Sequence, residues 1–185
     1  SLGFSLRRII NEPSAAAIYF VSKYPQYNNF LMYDFGGGTF DSSLIVRDGK
    51  YVTVADTEGD SFLGGRDIDN AIADYITTTY GMKGGLSADV LASIKEDCNS
   101  KGRENFNVID SSGKLHNVKF TRQDLSRCIE PFSKKSIALL DNMVVRNITK
   151  DSAVFMVGGS SLLKKVQHDV MNYCARTKLE CIIDK

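Results

Sequence analysis

The stretch YDFGGGTFD, residues 33–41, puts a run of three glycines and a threonine between two aspartates. Glycine accepts φ > 0 and lets other groups come close to the main chain. Successive N–H groups in such a turn form a concave anion site. Phosphate is its natural occupant, and magnesium accompanies phosphate, bound through oxygen ligands or through water held by carboxylates. Gly36, Gly37 and Gly38 are therefore candidates for phosphate oxygens, Thr39 adds a hydroxyl, and Asp34 and Asp41 are candidates for a metal's water shell. The same run also reads as a plain hairpin turn with two solvated acids, and the residues alone leave both readings open. Gly64-Gly65 precedes a predicted helix, and Gly158-Gly159 lies between a predicted strand and a helix. Both pairs would bring helix N-termini toward an anion; each also reads as an ordinary loop.

Other chemistry is poorly supported. Asp34-Phe35-Gly36 imitates the kinase D-F-G, but the kinase glycine loop, catalytic loop and A-P-E are lacking. Neither G-x-x-x-x-G-K-[ST] nor G-x-S-x-G occurs. His116 and His168 are far apart and receive no role. Cys98, Cys128, Cys174 and Cys181 form no C-x-x-C pair, so a zinc site is not expected, and reduced thiols of a cytosolic protein are. The net charge of +1 comes without a basic stripe, which argues against direct nucleic-acid binding. No apolar run reaches membrane-spanning length, and the start does not read as a signal peptide. Opening on Ser1-Leu2-Gly3, the chain reads as a piece of something longer.

The elements that must position these residues alternate in type. The chain has 185 residues, 43% of them hydrophobic and 24% charged, an ordinary globular composition. Arg8–Ile10 is a short strand candidate, and Pro13 suits the first turn of a helix ending near Lys23. Phe30–Tyr33, Phe40–Val46 and Tyr51–Ala55 read as a three-stranded meander, joined by the glycine run and by Asp48-Gly49. Helical spacing follows from Asp67 to Tyr80, and again from Ser87 to Lys101. Asn105–Ile109 and Leu115–Phe120 form a hairpin. Thr121 with Asp124 caps a long amphipathic helix that Pro131 should kink or deprive of a hydrogen bond. Ala153–Val157 is a buried strand, and a last helix carries Leu163, Val166, Val170 and Cys174 inward. This pattern predicts an α/β architecture whose helical middle, about 65–142, is inserted into a flanking sheet.

Four segments resemble the heat-shock protein 70 family, in its order and near its spacing. They are Ile10–Ala17, Tyr33–Asp41, Leu63–Asn70 and Met156–Ser161. The resemblance implies the second lobe of an actin-like ATPase domain. Residues 1–64 and 143–185 would form a ribonuclease-H-like subdomain with a mixed sheet and flanking helices, and 65–142 a mostly helical inserted subdomain with a β-hairpin. It implies ATP or ADP with Mg2+ as cofactors. Asp34 would hold the metal's water shell, with Asp41, which would also help position the attacking water, and Glu12 would join that polar network. Gly36, Gly37, Gly38 and Thr39 would line the phosphates, Thr39 at the γ-phosphate. Gly64 and Gly65 would face the nucleotide, and Gly158, Gly159 and Ser160 would approach the adenosine. The first phosphate loop and catalytic lysine would belong to the partner lobe, before residue 1, so the isolated lobe is expected to be inactive and the full-length protein an ATPase.

The adenine side departs from the family pattern. Asn99, Gly102 and Phe106 stand where members usually carry glutamate, lysine and serine. Arg103 keeps one stacking arginine, and Leu162 replaces the other. Phe106 either stacks on the base or belongs to the core. Arg66, where cellular chaperones usually have glutamate, resembles the closterovirus members of the family. Those assist cell-to-cell movement and join the virion tail. This implies a chaperone-like viral protein in the host cytoplasm, with virion or movement proteins as partners. The alternative is an assembly module in which nucleotide binding has faded.

Overall fold

The computed structural model describes residues 12–147 and 152–183. Along the chain, α1 (Glu12–Lys23) leads into β1 (Asn29–Phe35), β2 (Phe40–Asp48) and β3 (Tyr51–Asp60). Then come α2 (Gly65–Tyr80), α3 (Ala88–Glu96) with a π-helical turn over Asp97–Lys101, the hairpin β4 (Asn105–Ile109) and β5 (Leu115–Lys119), and α4 (Arg122–Asn147). The chain finishes with β6 (Ala153–Val157), a 3-10 turn over Gly159–Leu162, α5 (Lys164–Thr177) and β7 (Glu180–Ile183). The main sheet is mixed, in the order β3-β2-β1-β6-β7, and β4-β5 stands apart from it. β1 pairs antiparallel with β2 and parallel with β6.

Strand side chains alternate between faces, and β1 uses both. Phe30 and Met32 join Ile45 and Phe155 under Ala17 and Phe20 of α1. Leu31, Tyr33 and Phe35 join the larger core with Leu140 of α4 and Val166 and Val170 of α5. Burying each such side chain contributes about 1.5–3 kcal/mol. A buried polar chain crosses this second layer. Tyr33 Oη and Ser136 Oγ lie 2.6 Å apart, and Ser136 Oγ donates to Ser133 O at 2.9 Å. Ser133 Oγ in turn donates to Asp169 at 2.7 Å, tying the sheet to α4 and α4 to α5. Cys128 and Cys174 are buried in this layer, as their helical spacing predicted. Among the described residues, no helix is long and apolar enough to cross a membrane.

Several expectations needed correction. β3 runs on to Asp60 beyond the predicted Ala55, because pairing with β2 continues through a register shift at Leu44/Ile45. The helix predicted over 87–101 becomes π-helical after Glu96. At Pro131 no correction is needed: α4 continues through it without that residue's N–H, one of the two outcomes expected. β7 was not foreseen: its four residues gain their conformation from parallel pairing with β6, a partner 27 residues earlier that local pattern cannot supply. The strand candidate Arg8–Ile10 lies outside the described residues.

Candidate functional site

The glycine run connects β1 to β2 at the point where their ladder ends, with Asp34 opposite Asp41 and Phe35 opposite Phe40. Gly36 N–H closes the turn on Thr39 O at 3.0 Å. None of the three glycines has a left-handed φ, so the freedom that the sequence reading invoked is not what the turn requires. Close approach, the other property the sequence pointed to, is what applies, at Gly38 and its neighbour Gly64. A Cβ on Gly64 would lie 2.5 Å from both N and Cα of Gly38.

The carbonyls of the run point toward α2. Gly36 O accepts from Gly65 N–H at 3.0 Å and from Ser160 Oγ at 2.8 Å, and Gly37 O accepts from Arg66 N–H at 2.8 Å. Gly64 N–H donates to Asp67 Oδ2 at 2.8 Å, and Asp67 N–H donates back to Gly64 O at 3.1 Å. The first amides of α2 are thereby consumed. The expectation that Gly64-Gly65 opens a helix N-terminus toward an anion is corrected: the pair brings two backbones together. Among the described residues the N–H groups of Gly37, Gly38 and Thr39 have no acceptor, and Gly37 and Thr39 are exposed.

Gly158 completes the junction. Its φ of 88° is left-handed, and a Cβ there would lie 2.5 Å from Asp34 Oδ1 and from Phe35 O. The segments 34–39, 64–66 and 158–160, distant in sequence, thus meet at one place. A cleft of about 830 Å³ opens beside them, walled by Gly37, Gly38, Gly65, Gly159 and Ser160, with Asn99 opposite on the π-helical turn. That volume suits a nucleotide-sized ligand.

Asp34 and Asp41 do not line this cleft. Partners directly opposite in an antiparallel ladder share a face, so both carboxylates project on the side occupied by Phe30 and Met32. Asp41 is exposed, with Oδ1 2.5 Å from where a Cβ on Gly59 would be. Glu12 begins α1, and its side chain lies outside what is described. Arg103 is also not brought to the cleft. Its guanidinium lies 4.9 Å from the Phe106 ring centroid and pairs with Asp97 at 3.2 Å. Lys101 and then Arg103 hold the Asp97 carboxyl below its ordinary range. Phe106 is 5% exposed, which decides the open question in favour of the core. Asn99 spends both ends of its amide on structure: Nδ2 donates to Leu162 O at 3.3 Å, and Oδ1 accepts from Lys164 N–H at 2.9 Å. Gly102 is left-handed, with φ 68°, beneath Arg122.

Sequence reasoning missed Lys95, Asp69 and Arg66 as cleft residues. Lys95 Nζ pairs with Asp69 Oδ1 at 2.7 Å between α3 and α2. Opposite charges at the edges of two adjacent amphipathic helices were the available signal, but only helix packing brings them together.

A mixed sheet with helices on both faces and a glycine turn at the end of its central ladder is the architecture of an actin-like ATPase lobe. The Hsp70 protein family profile matches residues 2–183, and the chain belongs to that family. It is 51% identical, over all of its length, to a protein named movement protein Hsp70h from Lettuce infectious yellows virus (isolate United States/92). It is 36% identical, over 92% of its length, to a protein of the same name from Grapevine leafroll-associated virus 3 (isolate United States/NY1). The chain spans 33% and 32% of these two relatives, about one third of each.

Proposed function

We propose that this lobe holds the phosphates of Mg-ATP within a longer viral Hsp70 homologue, whose nucleotide state drives a chaperone-like role in cell-to-cell movement and virion assembly. The Hsp70 family is a nucleotide-binding ATPase family, and the relatives' names point to movement. The observation that carries the phosphate reading is the asymmetry of the glycine turn. The carbonyls of Gly36 and Gly37 are bonded to the protein, while the amides of Gly37, Gly38 and Thr39 have no acceptor among the described residues, beside a cleft of about 830 Å³. Unpaired amides converging on one turn suit phosphate oxygens.

In this reading Gly37, Gly38 and Thr39 receive the phosphates, and Gly36, expected to line them as well, instead closes the turn that presents those amides, because its own N–H is held by Thr39 O. Gly65, Gly159 and Ser160 shape the wall behind them, and Gly64 holds α2 against the turn. Asp34 and Asp41, which share the α1 side of this turn and not the cleft face, would orient the water shell of magnesium at the turn's tip, and the ion would supply charge neutralisation. Asp41 and Glu12 orient the attacking water. The ribonuclease-H-like subdomain comprises 1–64 and 143–185, and the inserted subdomain 65–142. Phosphoryl transfer depends on positioning from several sides. Hydrolysis is therefore assigned to the full-length protein together with its first lobe, and the isolated lobe is expected to be inactive.

A second reading, a non-catalytic assembly module, is favoured by the adenine side. Asn99 is occupied in capping, Arg103 is folded onto Phe106, and Leu162 is 58% exposed at the rim. Calorimetric titration of the full-length protein with Mg-ATP separates the two. Micromolar binding lost in Asp34→Ala supports the first reading. Movement activity without any nucleotide response supports the second.

A further inference from the structure

The cleft wall carries an arginine held close against the glycine turn. Arg66 opens the second position of α2, and its guanidinium lies over the glycine turn: a Cβ on Gly38 would be 2.6 Å from Nη2 and 3.2 Å from Cζ. Its own N–H holds Gly37 O at 2.8 Å, which fixes the start of the side chain beside the turn. Arg66 is exposed and lines the cleft, and among the described residues no carboxylate pairs with it. The other cation of the cleft differs in this respect. Lys95 is 15% exposed and is neutralised by Asp69 at 2.7 Å. The remaining acid of the wall, Glu96, belongs to α3, on the side of Asn99 and Ser100.

An exposed arginine is ordinarily just solvated. Here an unpaired guanidinium, the unpaired amides of Gly37 and Gly38, and a nucleotide-sized cleft coincide. We propose that Arg66 is an anion ligand of this cleft, its fork of N–H donors joining the Gly37 and Gly38 amides on the terminal phosphate oxygens of a nucleoside polyphosphate. The inference rests on the phosphate reading above and adds a residue to it. The planar guanidinium gives two parallel, charge-assisted hydrogen bonds to a phosphate, which a lysine ammonium matches in charge but not in shape. It places a positive charge where cellular chaperones usually carry a negative one, so this lobe grips the polyphosphate itself and depends less on the adenine contacts it has lost.

The test is calorimetry of the full-length protein with Mg-ATP and, separately, with magnesium tripolyphosphate, which has no base. Arg66→Ala is expected to weaken both by roughly tenfold or more, the range of a lost charge-assisted pair. Arg66→Lys is expected to fall between Ala and the parent, and Arg66→Glu below Ala. The salt dependence of binding is expected to become shallower in Arg66→Ala. Unchanged affinity in a folded Arg66→Ala overturns the proposal, as does equal loss in Ala and Lys, which indicates a structural role. Should thermal melting find Arg66→Ala unfolded, Arg66→Gln replaces it under the same criteria. Absence of Mg-ATP and tripolyphosphate binding in the parent protein instead overturns the phosphate reading, and this proposal with it.

Discussion

Gly64→Ala tests whether the glycines at the junction exist for close approach. The new Cβ would lie 2.5 Å from Gly38 N and Cα and 2.6 Å from Gly38 C, all backbone atoms that cannot rotate away. Ordinary contact requires the two segments to separate by about 1 Å. The bonds Gly65 N–Gly36 O at 3.0 Å and Arg66 N–Gly37 O at 2.8 Å span that same gap. Each contributes about 0.5–1.5 kcal/mol net, and overpacking costs about 1–3 kcal/mol more, so the local loss is about 2–6 kcal/mol. Hydrogen exchange of the full-length protein, read on a peptide covering residues 63–68, reports this as opening. Exchange at 65 and 66 is expected to accelerate at least about thirtyfold, the equivalent of 2 kcal/mol. Gly37→Ala is the control: no atom lies within 4 Å of its added Cβ, and its φ is not left-handed. It is expected to leave exchange near the parent level while occluding the cleft. Gly64→Ala exchanging like the parent, or Gly37→Ala opening equally, refutes the reasoning.

Two further outcomes follow from side chains around the cleft and the hairpin. Asn99→Ala removes the acceptor for Lys164 N–H and the donor to Leu162 O; it is expected to cost about 0.5–2 kcal/mol in denaturant unfolding, with Asn99→Asp, which keeps the acceptor, recovering part of the loss. Hydrogen bonds from Ser112 and then His116 hold the Asp110 carboxyl below its ordinary 3.8, so its contribution is complete above that value and fades as pH falls beneath it. The gap in melting temperature between the parent and Asp110→Asn is therefore expected to be widest near neutral pH and to narrow below about pH 4; a gap that stays constant down to pH 2 contradicts this assignment.

Where the determinants are local, the residues disclosed them. Gly81 and Gly49 end α2 and turn β2 into β3 with left-handed φ values of 57° and 58°, and both positions were legible as glycine signals. Thr121 and Asp124 were legible as a capping box, and their reciprocal bonds at 2.9 Å and 3.2 Å form within four consecutive residues. The unbroken apolar run Phe30, Leu31, Met32 and Tyr33 specified a strand buried on both faces, and four short motifs were enough to reach the family. Contacts across long separations were hidden. β7 exists through β6, and Asn99 is spent on α5, 65 residues away. Arg103 belongs to Asp97 and Phe106 and not to the cleft, because the turn after the π-helical segment directs it there. The amino-acid sequence by itself determined which residues are small, charged or apolar at each helical or strand period, since those preferences act over a few bonds. Only the tertiary structure decided that Gly38, Gly64 and Gly158 lie at one crossing, that the carbonyls of Gly36 and Gly37 face inward while the amides of Gly37, Gly38 and Thr39 have no partner among the described residues, and that Arg66 lies over Gly38. Those outcomes depend on backbones packing to within van der Waals distance across more than a hundred residues, and no local preference encodes that.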